Sequence, residues 1–246
     1  MKIAIITVVY NNEKMIEKCI KSVLNQTYPN IEYIVIDGGS IDGTIDIVKN
    51  YKNRIARIVS EPDNGIYDAM NKGINLAKGD IIGILNSDDF YFDDYVIEKV
   101  VDNFNKYDTA AVYGDLIYVD TVDTDKVIRH WKSGNFKYSK LKFGWMPPHP
   151  TFFVRREIYQ TLGTYNLEYR ISADYDLMLR FLGKFKISVS YLPEILVKMR
   201  VGGKSNKTIS NIIRKSLEDY RIIKNYRIGG LYTLIAKNLS KIPQFL

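Results

Sequence analysis

The sequence predicts an α/β protein with a doubly wound, mostly parallel sheet, a smaller mixed second half and a C-terminal helical tail. Short β-branched runs alternate with helical patterns four times within about 90 residues, which is typical of strand–helix units. Hydrophobic residues make up 46% and charged residues 26% of the 246, as in ordinary globular proteins. This composition excludes a collagen-like chain, a disordered chain and a disulfide scaffold.

The first half contains four predicted strands, at residues 3–9, 31–37, 55–60 and 81–86. Residues 3–9, IAIITVV, form a continuous apolar, β-branched run of the kind found in strands that are buried on both faces of a parallel sheet, and IEYIVID at 31–37 repeats the strand signal. Helical patterns follow the first three strands, over about 13–25, 43–52 and 66–77. Asn12 precedes the first of these helices and is its candidate N-cap.

The second half is less regular. Its predicted strands lie at 110–120, 149–154, 187–193 and 195–201, and the segment VDTDK is the expected turn of a hairpin. Its predicted helices lie at about 93–106, 172–183 and 207–225, and a short last helix follows Gly229 and Gly230. The expected organisation is a body of residues 1–205, with halves 1–106 and 107–205, and a tail of residues 206–246.

The net charge of +7 is concentrated in residues 207–246, which carry eight Lys or Arg and two Asp or Glu. Proteins that read nucleic acid usually carry a basic patch on the folded body, so we expect no nucleic-acid partner. The single cysteine, Cys19, excludes an intrachain disulfide and a cysteine-based zinc site. No hydrophobic run approaches the ~18 residues of a membrane span, and no signal-peptide pattern is present, so we expect a cytoplasmic protein.

Polar side chains follow each of the four parallel strands, at the sheet edge where open α/β sheets bind ligands. They include Thr7, Tyr10 and Asn11 after the first strand, Asp37 and Asp42 after the second, Glu61 and Asp63 after the third, and Asn86, Asp88 and Asp89 after the fourth. Taken singly, most of them could serve as turn or helix-cap residues. Four such strand ends at one edge favour a binding site.

Asp88 and Asp89 are adjacent carboxylates that repel each other unless a positive charge lies nearby. One source of positive charge is the N-terminus of the next helix. The other is a hard divalent cation, Mg²⁺ or Mn²⁺, held by one or two carboxylates and by phosphate oxygens of a substrate. The chain lacks a P-loop motif and a G-x-G-x-x-G turn, so we expect the metal and side chains to hold the phosphates.

Five segments, TVVYNN, DGGSIDGT, EPDNGIYDAMNKG, LNSDD and ISADYDLMLR, resemble the family 2 glycosyltransferases in sequence and in order. The resemblance covers roughly residues 1–200. It implies the GT-A fold and metal-dependent, inverting transfer of a sugar, of the hexosyltransferase class, from a nucleotide-diphospho-sugar. A UDP-sugar is the default donor. The acceptor is then a saccharide or a lipid-linked molecule, in polysaccharide or glycolipid assembly.

The resemblance also implies roles for individual residues. The nucleotide pocket is lined by Thr7, Tyr10, Asn11, Asp37 and Asp42, of which Asp37 matches the residue that reads the base. The donor-binding set further includes Asp68, Lys72, Asn86, Asp88 and Arg200. Asp88 and Asp89 match the metal-binding D-x-D region, whose first acidic position is occupied here by Asn86. Lys72 is a candidate substitute for an arginine that family members often carry where Met70 stands.

Asp174 matches the catalytic base of the family, and Ala173 replaces the glutamate that often precedes it. A carboxylate within hydrogen-bond reach of the acceptor hydroxyl can take its proton, and a single displacement needs no second, nucleophilic carboxylate. Asp174 could instead favour the dipole at the start of its helix. Asp176 is the main rival for the base and points to a different face.

Two loops are candidate parts of the site. Trp145 and His149 lie in the proline-stiffened segment WMPPHP and are candidate acceptor residues, although His149 could equally be structural. Arg200 begins the segment RVGGKS, in which two glycines stand beside two cations. That segment suits a loop that closes over a diphosphate, or else a basic surface linker.

The tail combines apolar and basic residues. One helical stripe contains Ile209, Ile212, Ile213, Leu217, Tyr220 and Ile223, and the basic residues Arg214, Lys215, Arg221 and Lys224 fall largely elsewhere. The stripe predicts packing on the body, and the clustered charge predicts contact with an anionic membrane surface. The two interpretations are compatible, and the second makes the protein peripheral on the inner face of the cell membrane.

Three other functions remain open. A nucleotidyltransferase also combines an α/β sheet with metal-binding carboxylates, but a glycine-rich basic loop near the N-terminus is lacking here. A catalytically inactive sugar- or nucleotide-binding module would lose the base, and the departures from the family pattern at Asn86 and Ala173 leave this alternative open. A structural protein that docks through its tail gives no reason for acidic groups at four strand ends.

Overall fold

The computed structural model describes residues 1–202 and 209–239, without the side chain of Ile209. Its strands are β1 (Ile3–Val9), β2 (Ile31–Asp37), β3 (Arg57–Ser60), β4 (Ile81–Asn86), β5 (Phe90–Tyr91), β6 (Ala111–Val119), β7 (Val127–Trp131), β8 (Phe153–Arg155) and β9 (Val189–Arg200). Its α-helices are α1 (Ile16–Leu24), α2 (Thr44–Asn50), α3 (Ile66–Leu76), α4 (Val96–Tyr107), α5 (Tyr138–Leu141), α6 (Arg156–Leu162), α7 (Ala173–Met178), α8 (Ile209–Asn225) and α9 (Leu231–Leu239). A 3₁₀ helix spans His149–Thr151, and a π-helical segment, Leu179–Lys184, continues α7.

The strands of the described residues form one sheet in the order β3-β2-β1-β4-β8-β6-β9-β5, and β7 pairs with β6. The first four strands are parallel, as the alternating pattern predicts. Beyond β4 the sheet is mixed, because β8 is antiparallel to both β4 and β6, whereas β6 and β9 are parallel. The doubly wound α/β half and the smaller mixed half are therefore both confirmed.

Both faces of β1, β2 and β4 are buried, which explains why most of their residues are apolar. In β1, Ile3 and Ile5 join the core that contains α1 and α4, whereas Ala4 and Ile6 join the core that contains α3 and α7. Helix α1 buries Ile16, Cys19, Ile20 and Val23, which recur at the spacing of one helical face. Each fully buried Ile or Val contributes roughly 1.5–3 kcal/mol, so this two-sided core fixes the strands that carry the site.

The strand predicted at residues 149–154 is wrong in its first half. His149–Thr151 form the 3₁₀ helix, and β8 begins at Phe153. Pro148 and Pro150 have no backbone N–H, so they cannot donate to a strand ladder. The segment therefore turns before it joins the sheet.

The two strands predicted at 187–193 and 195–201 are one strand, β9. The missing N–H of Pro193 predicts a break, but the register with β6 shifts around it instead. Tyr191 lies opposite Tyr113 and Ile195 lies opposite Asp115, so β9 has two more residues than β6 between these pairs. A bulge of this kind accommodates proline because the extra residues need not donate to the ladder.

The helices α8 and α9 pack against the body, but of the predicted apolar stripe only Ile223 is buried among the described side chains. Ile222 and Ile223 are fully buried, and Ile228 in the following turn is nearly so. The described stripe residues other than Ile223 are between 37% and 57% exposed: Ile212, Ile213, Leu217 and Tyr220. The buried face instead includes two acidic side chains, Glu218 and Asp219, whose polar contacts are described below. Residues 206–208 and 240–246 of the predicted tail lie outside the described residues.

Among the described helices, none combines the length and the apolar character that a bilayer span requires.

Candidate active site

The ends of β1, β2 and β4 meet at one edge of the sheet, which brings Asp37 and Asn86 to either side of β1. Asn12 links two of these ends, since its side-chain amide donates to the Ser87 hydroxyl at 2.8 Å. It does not cap α1, which begins at Ile16 without a side-chain cap, so that prediction is wrong. The convergence of polar strand ends, in contrast, is present as predicted.

The turn after β2 is organised by Asp37. Its carboxylate is fully buried and accepts hydrogen bonds from the Ser40 backbone N–H at 3.1 Å and the Ser60 hydroxyl at 2.6 Å. Asn11 lies against the same turn and has φ 48°, a left-handed conformation that asparagine tolerates better than most residues. The Asn11 Oδ1 accepts a hydrogen bond from the Ile41 N–H at 2.9 Å. Asp37 therefore shapes the turn, and its reading of a base stays a prediction.

The other predicted nucleotide residues differ in exposure. Thr7 is fully buried and its hydroxyl accepts a hydrogen bond from Tyr33 at 3.1 Å, so it supports the edge from behind. Tyr10 is 49% exposed at the end of β1. Asp42 holds the start of α2, because its Oδ1 accepts the Thr44 backbone N–H at 3.0 Å.

Asp68 and Lys72 lie together beside the β3–α3 connection. The Lys72 Nζ is 2.9 Å from Glu61 Oε1 and 3.8 Å from Asp68 Oδ2, and it donates to the Pro62 carbonyl at 3.0 Å. The Glu61 carboxylate raises the pKa of Lys72. For Lys72 to hold a diphosphate, as predicted, it would have to exchange these carboxylates for phosphate oxygens.

The turn after β4 buries carboxylate and amide oxygens without partners. Asp89 is 1% exposed, and its Oδ2 accepts a hydrogen bond from the Asn86 amide at 3.1 Å. The Oδ1 atoms of both residues are buried with no hydrogen-bond partner among the described residues. Burial, and then the charge of Asp88, raise the pKa of Asp89 well above its usual value. Asp88 itself is half-buried.

These oxygens fit a hard divalent cation, which prefers carboxylate and amide oxygens as ligands. In the described part of the chain, no group of three or more His, Cys, Asp and Glu side chains is arranged to hold a metal ion. Asp88 and Asp89 would therefore supply at most two carboxylates, and water or phosphate oxygens would complete the coordination, as is common for Mg²⁺.

Arg200 lies beneath the same turn. It is 6% exposed, donates to the backbone carbonyl of Asp88, and its guanidinium lies 4.9 Å from the centre of the Phe90 ring. Burial lowers its pKa, and the charges of Asp88 and Asp89 oppose that shift. Arg200 thus supports the turn from within, and its contact with a donor stays a prediction. Lys204 and Ser205, the end of the predicted closing loop, lie outside the described residues.

Asp174 stands in the first turn of α7 and contacts α3. Its Oδ1 accepts the Tyr175 backbone N–H at 2.8 Å and lies 3.3 Å from the hydroxyl of Tyr67. That hydroxyl also donates to the carbonyl of Ile171 at 2.7 Å. Tyr67 therefore ties α3 to the segment that carries Asp174.

Asp176, the rival carboxylate, points elsewhere. It is 3% exposed, accepts a hydrogen bond from the Tyr226 hydroxyl at 2.9 Å, and lies 4.0 Å from Arg180. Burial raises its pKa. Asp176 is thus enclosed beside the tail, whereas Asp174 is half-buried against α3.

A chain of aromatic contacts joins Asp174 to His149. The ring of Tyr67 stacks on that of Tyr165 with 5.4 Å between centres, and the Tyr165 hydroxyl is 2.6 Å from His149 Nε2. Asn71 fixes Tyr165 by binding its backbone N–H and C=O, both at 2.8 Å. Burial lowers the pKa of His149, and the charge of Asp174 opposes this. His149 is therefore uncharged at neutral pH.

Trp145 belongs to an aromatic cluster. Its indole N–H donates to the Ser133 carbonyl at 3.3 Å, and its ring meets Tyr113 edge-on, with 5.8 Å between centres. A third ring, that of Phe136, lies 5.6 Å away. Trp145 is half-buried, and its contact with an acceptor stays a prediction.

Glu218 of α8 holds the segment that precedes Asp174. It is 7% exposed, and its carboxylate accepts three backbone N–H groups, from Arg170 at 3.1 Å, Ile171 at 2.9 Å and Ser172 at 3.0 Å. Hydrogen bonds to a charged acceptor are the stronger ones, so this contact fixes the entry to α7.

Three further residues of the site, Glu218, Tyr67 and Tyr165, are not predicted from the sequence. The only signal for Glu218 is that it and Asp219 are the two acids among eight basic residues in the tail. Tyr67 and Tyr165 give no local signal, because their contacts join segments about 100 residues apart in sequence.

Sequence comparisons agree with the resemblance. Residues 4–163 match the family described as Glycosyl transferase family 2. A PGL/p-HBAD biosynthesis glycosyltransferase of Mycobacterium bovis (strain BCG / Pasteur 1173P2) is 29% identical over 218 residues, which are 87% of this chain and 83% of that protein. The chondroitin synthase of Pasteurella multocida (strain Pm70) is 32% identical over 182 residues, which are 72% of this chain and 18% of that protein.

Solved structures with a similar fold include S. aureus TarS 1-349 in complex with UDP-GlcNAc, at a TM-score of 0.72 and 16% identity, covering 93% of this chain and 66% of that one. This chain spans 39% of a longer TarS chain. The mannosyltransferase PcManGT from Pyrobaculum calidifontis, in complex with GDP-Man and Mn²⁺, matches at a TM-score of 0.69 and 19% identity, covering 99% of this chain and 71% of that one. Identities this low establish the fold alone.

Proposed function

The chain belongs to glycosyl transferase family 2 and has the GT-A fold, and we propose that it transfers one sugar from a nucleotide-diphospho-sugar to a hydroxyl acceptor with inversion. The observation that supports a single-displacement mechanism is the placement of one carboxylate, Asp174, against α3, while Asp176 is enclosed elsewhere. An inverting displacement needs one general base and no nucleophilic carboxylate.

The proposed donor is a UDP-sugar, held at the edge where β1, β2 and β4 end. TarS 1-349 binds UDP-GlcNAc and PcManGT binds GDP-Man, so relatives in fold use nucleotide-sugars of both kinds. In this chain, Tyr10 and Asn11 would meet the nucleotide, with Asp37 and Asp42 shaping the turn that receives it.

A divalent cation, Mn²⁺ or Mg²⁺, fits the turn after β4. Asp88 and Asp89 would hold it, because Asp89 and its neighbour Asn86 each bury an oxygen without a partner. When bound, such a cation stabilises the negative charge that develops on the departing nucleoside diphosphate. Arg200 keeps the turn in place from beneath.

Asp174 is the proposed base. The acceptor oxygen attacks the anomeric carbon, the bond from that carbon to the β-phosphate oxygen breaks, and its electron pair leaves with the nucleoside diphosphate. The proton of the acceptor hydroxyl passes to Asp174. Tyr67 holds the Asp174 carboxylate in position, through its hydroxyl 3.3 Å away.

The proposed acceptor is a saccharide or a lipid-linked molecule. Among relatives in sequence, one is named for PGL/p-HBAD biosynthesis and another is a chondroitin synthase, which supports glycolipid or polysaccharide assembly. Trp145 and His149 are the proposed acceptor residues. The proposed catalytic part is residues 1–205, and residues 206–246 would hold the protein at the inner face of the cell membrane.

Transfer is tested by incubating the protein with a panel of nucleotide-sugars and Mn²⁺ or Mg²⁺, and measuring the release of nucleoside diphosphate. We expect Asp174→Asn to bind nucleotide normally and to lower kcat by about 10²–10⁴-fold, the usual contribution of a general base. Asp102→Asn, an exposed substitution on α4, is the matched control and should leave turnover unchanged.

Normal turnover by Asp174→Asn would refute the base assignment. Release of pyrophosphate from a nucleoside triphosphate and a sugar 1-phosphate, with no nucleoside diphosphate released from any nucleotide-sugar, would favour a nucleotidyltransferase. Binding of a nucleotide-sugar without any turnover would favour the inactive binding module.

A further inference from the structure

A groove of about 470 Å³ lies between α8 and the loop that precedes α7. Three arginines from two distant parts of the chain line it, Arg170 from the loop and Arg214 and Arg221 from α8. Ile213 and Leu217 form apolar parts of its wall. These five residues are called the arginine groove below.

The arginine groove has an excess of positive charge. Within the described residues, none of its three arginines forms an ion pair. Two acids, Glu168 and Glu218, also line the groove, so three positive charges face two negative ones, and the Glu218 carboxylate is already bound by three backbone N–H groups. Like charges that face one cavity repel each other, and an anion between them would remove that repulsion.

The chemistry of the groove selects among anions. A guanidinium presents donors in a planar fork that matches phosphate oxygens. Ile213 and Leu217 are 56% and 57% exposed, so the arginines stand beside accessible apolar surface in the same groove. A phosphate that is attached to an aliphatic chain would satisfy both the arginines and the apolar wall, as at the surface of an anionic bilayer.

We propose that the arginine groove binds the phosphate group of a membrane phospholipid, with Ile213 and Leu217 against its apolar part. This inference rests on the membrane contact proposed for the tail and deepens it, since it names the contact residues and adds Arg170 from the body. Glu218 lies in the floor of the groove and holds the residues before Asp174.

The test is flotation of the full chain with phosphatidylcholine vesicles, with and without phosphatidic acid. The variant is Arg170→Gln, Arg214→Gln and Arg221→Gln combined, which should bind the anionic vesicles roughly 100-fold more weakly, since each basic residue near an anionic surface contributes about fivefold. The control combines Lys49→Gln, Lys52→Gln and Lys106→Gln, which remove the same charge from exposed positions elsewhere. This control variant should lose much less of its binding to the anionic vesicles.

A second pair of variants tests the apolar wall. Ile213→Ser with Leu217→Ser should weaken vesicle binding, whereas Ile41→Ser with Val122→Ser, which are 88% and 93% exposed elsewhere, should not. Calorimetric titration with inorganic phosphate distinguishes a lipid phosphate from a free one.

Equal losses in the arginine variant and its lysine control would overturn the proposal. So would an absence of wild-type binding to anionic vesicles, even if inorganic phosphate bound to the groove. Circular dichroism checks that each variant is folded. Binding is measured without a nucleotide-sugar, so its failure would leave the proposed transfer untouched, and a failure of transfer would leave the groove untouched.

Discussion

Asp88 and Asp89 are neighbours in sequence, yet the fold gives them different environments. Asp89 is enclosed and keeps one oxygen without a partner, whereas Asp88 is half-buried and lies at the mouth of the same turn. The sequence indicates that the pair needs a positive charge nearby. Burial decides which of the two carboxylates is more costly to keep charged when that positive charge is absent. Asp174 and Asp176 divide in the same way, since one contacts Tyr67 and the other Tyr226.

The aspartates at 88 and 89 should respond differently to neutralisation. Without metal, we expect Asp89→Asn to raise stability, because burial disfavours the charged carboxylate and the substitution replaces it with an uncharged amide. Asp88→Asn should change it little. Both variants should lose the increase in Tm that Mn²⁺ with UDP gives the wild type, whereas the exposed Asp94→Asn should keep it. Differential scanning calorimetry measures these Tm values. The same Mn²⁺-dependent increase in Tm in both variants as in the wild type would contradict the assignment of Asp88 and Asp89 as metal ligands.

His149 should make the protein less stable in acid. Burial lowers its pKa below 6.5, so the unfolded chain binds the proton first as the pH falls. The contribution of His149 to the free energy of unfolding is therefore largest above pH 6.5. Below that value it should fall by at most about 1.4 kcal/mol for each pH unit. Urea unfolding of wild type and His149→Gln at several pH values measures it. If the free energy of unfolding of His149→Gln fell with decreasing pH as steeply as that of the wild type, groups other than His149 would cause the loss of stability in acid.

At the scale of elements, α8 has two faces with separate tasks. Its inner face carries Ile222 and Ile223 into the core and directs Glu218 to the segment before α7. Its outer face leaves Ile213 and Leu217 exposed. Helical periodicity identifies an apolar stripe on α8, but it does not show which face of the helix is buried. That choice also depends on the buried acids, which bind backbone N–H groups of another segment.

Glu218 should matter for catalysis although it is far from Asp174 in sequence. Glu218→Gln keeps the size of the side chain but loses the charge that accepts three N–H groups, so we expect a loss of about 1.5–3 kcal/mol in stability. We also expect a fall in kcat with little change in the KM for the donor. Glu218→Asp should restore part of kcat, and the exposed Glu168→Gln is the control. A loss of stability with normal kcat would assign Glu218 a structural role only.

At the scale of the whole molecule, the described part of the tail is built into the body. Lys237 of α9 and Asp219 of α8 form an ion pair at 2.7 Å, with both side chains at most 3% exposed. The Lys237 Nζ also lies 3.2 Å from the ring centre of Tyr175 in α7. Gly144 allows α9 to approach closely, because a Cβ there would lie 2.3 Å from that of Lys237. A tail that lies only on a membrane would not need these contacts.

Lys237 should therefore be important for stability. Burial lowers its pKa and Asp219 opposes that shift, so each partner depends on the other. Lys237→Met would leave a buried carboxylate unpaired, and we expect it to lose about 3–5 kcal/mol in urea unfolding. Adding Asp219→Leu should recover most of the loss, and the exposed Lys224→Met should lose little. A double variant no more stable than Lys237→Met would contradict this account.

The sequence by itself determined the parallel half and its strand ends. The seven mostly apolar residues of β1 predict a strand that is buried on both faces, and its parallel neighbours bring Asp37 of β2 and Asn86 of β4 to one edge. Tertiary structure alone decided the partners of Glu218 and the burial of Asp89. Such contacts join segments 46 or more residues apart and depend on how helices meet, which no local pattern encodes.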